Sequence, residues 1–269
     1  MAINALHSAA TGLNALSTEI DVIANNLANV NTVGFKGSRV NFEDLLYEHK
    51  RQPGVENAVG EVTPAGVQVG LGVRVSSTQY DFQQGASEVT GRPLDVMING
   101  DGFFRVTLPG DVGGGEAYTR AGNFFRNVNG DVVLGNTQGN FLADGINIPE
   151  DAAEDSVTVS ADGVVSFIDA AGQNQQLGQI ELHTFVNKAG LKSIGSNLYI
   201  ATDASGPPIA GEPGSPGLGT LLDRHLELSN VDTVKELVGL IKSQRAFELN
   251  SQTIQAADEV LQVVGNLRR

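Results

Sequence analysis

With 269 residues, 41% of them apolar, the chain can bury a core in one large domain or two smaller ones, which excludes an intrinsically disordered protein. Its 31 acidic against 17 basic residues, a net charge of −14, argue against nucleic acid or an anionic membrane surface as partner, because both reward lysine and arginine. There is no cysteine, so disulfides and thiolate chemistry are excluded as well.

The N-terminal Met1–Ser8 stretch lacks the basic start and continuous apolar run of a secretory signal, and no later stretch approaches a membrane span. From Ala2 to about Asn31, apolar residues at Leu6, Ala9, Leu13, Leu16, Ile20, Ile23, Leu27 and Val30 fall alternately three and four apart, the spacing of a heptad seam. Glu19 and Asp21 are the only charges on this helix, so it is expected to touch neighbours on several sides. It then runs into Asn25, Asn26, Asn29 and Asn31 before Gly34. Asparagine competes for backbone hydrogen bonds inside a helix, and glycine readily takes the left-handed conformation of helix ends. The cluster is either a set of amides bonding across a helix–helix seam or a frayed, cap-rich helix end.

From Gly37 to about Val69 the chain is polar and turn-rich, with Pro53-Gly54, Gly60, Pro64 and Gly66, and the brief apolar cluster Phe42, Leu45, Leu46 and Tyr47. No core can be built there, so any fixed conformation is expected to depend on neighbouring copies. From Val69 to about Leu228 short β-like runs alternate with turn dipeptides: Val73–Ser77, Asp95–Ile98, Phe103–Leu108, Val132–Leu134, Val157–Ser160, Val164–Ile168, Gln179–Thr184 and Leu198–Ala201. Residues 204–220 read as a surface linker of turn formers. Beyond the capping residues Ser229-Asn230-Val231-Asp232, a second helix is expected to about Leu267, with Leu240, Phe247, Ile254 and Leu261 at every seventh position.

Residues suited to chemistry are scattered. His7, His49, His183 and His225 share no helix face. Asn127-Val128-Asn129-Gly130-Asp131 places oxygens at alternate positions as a calcium loop does, but lacks the closing glutamate and reads as a hairpin turn. Neither Gly70-Leu71-Gly72 nor Gly113-Gly114-Gly115 leads into a phosphate-binding helix. No catalytic residue, cofactor site or metal site is expected, and the chain does not read as an enzyme.

The string Ala24–Lys36, together with Ser243-Gln244-Arg245-Ala246-Phe247-Glu248-Leu249-Asn250-Ser251, resembles the paired terminal signatures of the bacterial flagellar rod and hook family. Ile98–Phe104, Tyr118–Phe124 and Ile194–Tyr199 resemble motifs of its β domain, and Asn41–Tyr47 followed by Arg51-Gln52-Pro53-Gly54 resembles its distal-rod members. The resemblance implies a structural subunit of a helical homopolymer, exported without a cleaved signal peptide. The implied partners are further copies of itself, proximal rod subunits, hook or hook-junction proteins, a surrounding ring bushing and the export apparatus.

The expected fold is α+β: long N- and C-terminal helices (1–36 and 229–269) forming a coiled-coil assembly domain, a rod-specific linker (37–69) and a central, mainly antiparallel β domain (70–228). Subunit packing is assigned to Leu6, Leu13, Leu16, Ile20, Ile23, Asn25, Asn26, Leu27, Asn29, Leu240, Phe247, Ile254 and Leu261, and the rod-specific role to Phe42, Leu45, Leu46, Tyr47, Arg51 and Pro53. The competing readings are a proximal rod or hook subunit and, outside the family, a secreted trimeric β domain binding carbohydrate or calcium.

Overall fold

The computed structural model, which describes residues 2–54, 65–110, 112–150, 152, 154–169 and 172–267, places one α-helix near each end of the chain: α1 (Ala2–Ala28) and α2 (Thr233–Leu267). Neither is apolar enough over a sufficient length to cross a membrane. The start of α2 is set by Asp232, whose carboxylate accepts hydrogen bonds from the backbone N–H groups of Val234 and Lys235. These bonds hold its pKa below the usual carboxylate value.

Two units can be distinguished. The first comprises Met1–Ala28, Ser38–Gln79 and Asp232–Arg269; the second comprises Asn29–Gly37 and Tyr80–Val231. In the first unit α1 and α2 run antiparallel against each other. Ser38–Asp44 pairs with Val73–Tyr80, and Tyr47–Arg51 pairs antiparallel with Val67–Gly70 in the register Tyr47↔Gly70. Asn26 docks the first of these strands on α1, donating to Ser38 O at 2.8 Å and accepting from Ser38 N at 3.0 Å.

This architecture corrects the expectation of a coiled-coil assembly domain made from long terminal helices. There are only two α-helices among the described residues, they pair within one chain, and β-strands share their unit. The heptad reading placed Leu6, Ala9, Leu13, Leu16, Ile20, Ile23, Leu27 and Val30 on one seam, whereas the face of α1 turned to α2 carries Gly12, Glu19, Ile23 and Asn26, which share only Ile23 with it. Small and polar residues let two helix backbones approach closely but give little hydrophobic signal. The central, mainly antiparallel β region fits the expectation.

A second difference concerns residues 37–69. Main-chain pairing orders Ser38–Arg51 and Val67–Gly70 within the chain, so a hydrogen-bonded ladder supplies what side-chain burial does not. Gly60 and Pro64 lie outside the described residues.

The second unit is built on a six-stranded antiparallel sheet in the order Lys192–Gly195, Leu198–Ile200, Glu116–Thr119, Phe103–Thr107, Leu182–Thr184 and Ile209–Gly211. Alternation along Phe103–Thr107 sends Phe104 and Val106 into the larger core with Ile98, Phe124, Leu134 and Ile148. Phe103 points to the opposite face, into an aromatic cluster with Tyr118, Phe185 and Tyr199. Ile209–Gly211, inside the segment expected to be a linker, forms an edge strand of this sheet.

Candidate assembly surfaces

Among the described residues, α2 leaves several apolar side chains exposed and α1 leaves a row half-buried. On α2, Val234, Val238 and Ile241 are exposed, and helical periodicity puts them on the side away from the residues that meet α1; Leu249, Val260 and Val263 are exposed further along the helix. Val234 retains 70% of its surface and Leu249 63%, too much for a helix whose neighbours were all present. On α1, Leu6, Leu13, Ile20 and Leu27 form one half-buried row at heptad spacing, with Leu16 half-buried beside it.

The structure distributes the sequence-derived positions unevenly. Ile23 and Asn26 are buried against α2, where Asn26 donates to Glu236 at 3.2 Å. Leu240 and Ile254 are half-buried, whereas Phe247 and Leu261 each keep 38% of their surface. Asn29 lies beyond the end of α1 and accepts from the Thr32 hydroxyl, while the Asn25 side chain is on an exposed position. Phe42, Leu46, Tyr47, Arg51 and Pro53 are all exposed, Leu46 at 83%, with Leu45 half-buried, so the paired strands present an apolar outer surface.

Sequence reasoning missed the polar centre of the second unit. Glu227 is buried with Lys36 and Arg120: Lys36 Nζ lies 2.6 Å from Glu227 Oε1 and Arg120 Nη1 3.5 Å from Glu227 Oε2. Lys36 also donates to Gln83 O at 2.6 Å, and Arg120 Nη2 donates to Gly100 O at 2.8 Å. Burial pushes the pKa of both cations down, opposed by the Glu227 charge. Around this centre the segment 29–37 is pinned to its unit. Asn197, in a turn with Ser196 where both have positive φ, donates to Val33 O at 2.7 Å, and Gly37 N donates to Asn230 Oδ1 at 2.8 Å.

Gly34 is part of the same dock. Its φ of 68° is left-handed as expected, but it stands six residues past the helix end and donates its N–H to Glu227 O at 2.8 Å. A Cβ there would sit 2.6 Å from Ala121 N, so glycine is required by close backbone approach.

A further polar cluster lies on the aromatic face of the sheet. Arg105 contacts Glu116 at 3.1 Å and Asp144 at 3.6 Å, Glu181 N donates to Asp144, and Tyr118 donates to Glu116. His183 packs beside Tyr118. Burial pushes the Asp144 carboxyl up to about 6 and holds the His183 imidazole below its usual value. The raised Asp144 value favours the protonated acid in the fold, so that contribution is complete below the unfolded value near 3.8 and is lost as pH rises through about 6. His183 acts in the opposite sense, losing stability as pH falls through 6.5. Asp144→Asn should therefore flatten the decline of the unfolding midpoint between about pH 4 and 6. An unchanged decline in a thermal melt series would exclude Asp144 as its source.

The Asn127–Asp131 loop spends its oxygens internally. Asn127 Oδ1 accepts from the N–H groups of Asn129 and Asp131, and Asp131 Oδ1 accepts from Asn147.

Family models match three stretches of the chain: residues 6–36 as "Flagella basal body rod protein", 97–167 as "Flagellar hook protein FlgE/F/G D1 domain" and 223–267 as "Flagellar basal body rod FlgEFG protein C-terminal". The chain is 44% identical to the flagellar basal-body rod protein FlgG of Borreliella burgdorferi, covering 99% of each. It is 42% identical to FlgG of Bacillus subtilis, over 99% of this chain and all of the relative. With the flagellar hook-basal body complex protein FlhP of the same bacterium it shares 30% over the same extent.

Proposed function

This chain belongs to the flagellar basal-body rod family, a structural component of the flagellar basal body, and from that premise we propose that it is the subunit of the distal rod. Copies assemble helically into a hollow shaft that passes torque from motor to hook. The higher identity to FlgG than to FlhP within one bacterium supports the distal reading, as does the Asn41–Gly54 segment. No catalytic step is assigned to it.

The observation that carries the proposal is the exposed apolar row on α2 opposite its contact with α1. Neighbouring copies cover that row, the leucine row of α1 and the apolar surface around Leu46 and Tyr47. The same family premise gives the other partners: proximal rod subunits, hook or hook-junction proteins, a ring bushing around the shaft, and the export apparatus that delivers the chain to the periplasmic part of the basal body.

Replacing Val234, Val238 and Ile241 together by aspartate tests this. Each loses a burial worth roughly 1.5–3 kcal/mol, so polymer should disappear at concentrations where the parent forms filaments. The melting transition of the second unit should not move. Filaments of parental abundance from the triple variant, scored by electron microscopy, would refute the assignment of this face.

A further inference from the structure

The contact between the helices carries polar rungs at a regular interval. Asn26 Nδ2 donates to Glu236 Oε1 at 3.2 Å, and Ser243 Oγ donates to Glu19 Oε2 at 2.9 Å. Asn250 Nδ2 lies 3.3 Å from the place a Cβ on Gly12 would occupy. On both helices the rungs are seven residues apart, at 12, 19 and 26 and at 236, 243 and 250, and each facing pair of residue numbers adds to 262. Ile23 against Gly239, where the corresponding approach is 3.5 Å, obeys the same sum.

Such rungs weaken a seam relative to apolar residues but discriminate between its possible pairings. A slip of seven residues one way would set Glu19 opposite Glu236, two carboxylates in a half-buried contact. The opposite slip would leave Glu236 beyond the last turn of α1, without Asn26, and would face Asn26 with Ser243. Parallel pairing of two copies of α1 in register would oppose Glu19 to Glu19, and of two copies of α2, Glu236 to Glu236. Of the three antiparallel α1–α2 alignments a heptad apart, only the observed one gives each carboxylate a donor.

We propose that Asn26–Glu236, Glu19–Ser243 and Gly12–Asn250 form a register code that selects one α1–α2 alignment over those displaced by a heptad and disfavours parallel, in-register pairing of like helices from different copies. Building on the assembly reading above, the fixed alignment sets which residues of the two helices face outward to neighbours.

The absence of cysteine makes the register directly measurable in the full-length chain. Ile23→Cys with Gly239→Cys reports the observed alignment, and Ile23→Cys with Ala246→Cys reports the slip that moves Asn26 to Ser243. Oxidised as dilute monomer, the first pair should form its intrachain disulfide about tenfold faster than the second, the scale expected for hydrogen bonds to charged groups. Glu19→Ala with Ser243→Ala and Glu236→Ala should erase most of that preference. The exchanged pair Glu19→Ser with Ser243→Glu, which restores a donor opposite a carboxylate in the same alignment, should recover it and provides a readout even if the alanine variant loses helix by circular dichroism. An undiminished preference in the helical alanine variant, or no recovery in a folded exchanged variant, would overturn the code. Filament formation by the parent is scored separately, so failure of the assembly reading leaves the register result intact.

Discussion

Glu227→Ala should lower the stability of the second unit by about 3–5 kcal/mol, the cost of removing one partner from a buried ion pair, which for a unit of this size is a fall in melting temperature on the order of 10 °C. The reason is what remains behind. Lys36 and Arg120, both essentially without solvent exposure, would face each other with no buried carboxylate between them, and Gly85 N would lose its acceptor at 2.8 Å. Lys36→Met should be milder, about 1–2 kcal/mol by the cost of one lost hydrogen-bonded partner, because Glu227 keeps Arg120 and Gly85. This ordering separates charge compensation from packing. Equal losses in the two variants, measured by denaturant unfolding followed through the aromatic cluster, would show that volume rather than charge governs the site.

The second large effect is expected at Gly34. Alanine there incurs roughly 1–2 kcal/mol for the left-handed conformation. Its Cβ would also stand 2.6 Å from Ala121 N and 2.7 Å from Arg120 C, both backbone atoms that no side-chain rotation can move aside. Segment 29–37 must then lift, giving up the Asn197–Val33 and Lys36–Glu227 bonds together. Amide exchange should show Gly34 and Phe35 losing protection and the unit losing several kcal/mol in total. Gly91→Ala, in the same unit, is the matched control: φ is 74°, but no atom stands within 4 Å of its Cβ, so only the conformational cost applies. If both variants lost the same stability, the close approach would be irrelevant.

These two sites also mark where the sequence ceased to be readable. The short β runs declared themselves by alternation and turn residues, and Asp232 by its place before an apolar stripe, because both signals are local. Lys36 and Glu227 lie 191 residues apart, and neither carries a local sign that the other exists. Gly34 was legible as a left-handed residue but not as the point where one backbone passes another. On the face of α1 turned to α2, Gly12 contributes no hydrophobicity and Glu19 is charged, so apolar spacing marked Ile23 alone there, while Asn26 was legible only through the asparagine cluster, one reading of which was amides bonding across a helix–helix seam. Strands Ser38–Asp44 and Tyr47–Arg51 are ordered by ladder pairing rather than burial, so hydrophobic pattern could not find them.

In the proposed function the outward rows of α1 and α2 are surfaces between copies. Electron microscopy of the concentrated parent chain with helical reconstruction tests this directly. The prediction is a straight, hollow filament in which Val234, Val238 and Ile241 are enclosed by neighbouring subunits. Discrete closed particles such as trimers, or a filament in which that row faces solvent, would contradict it.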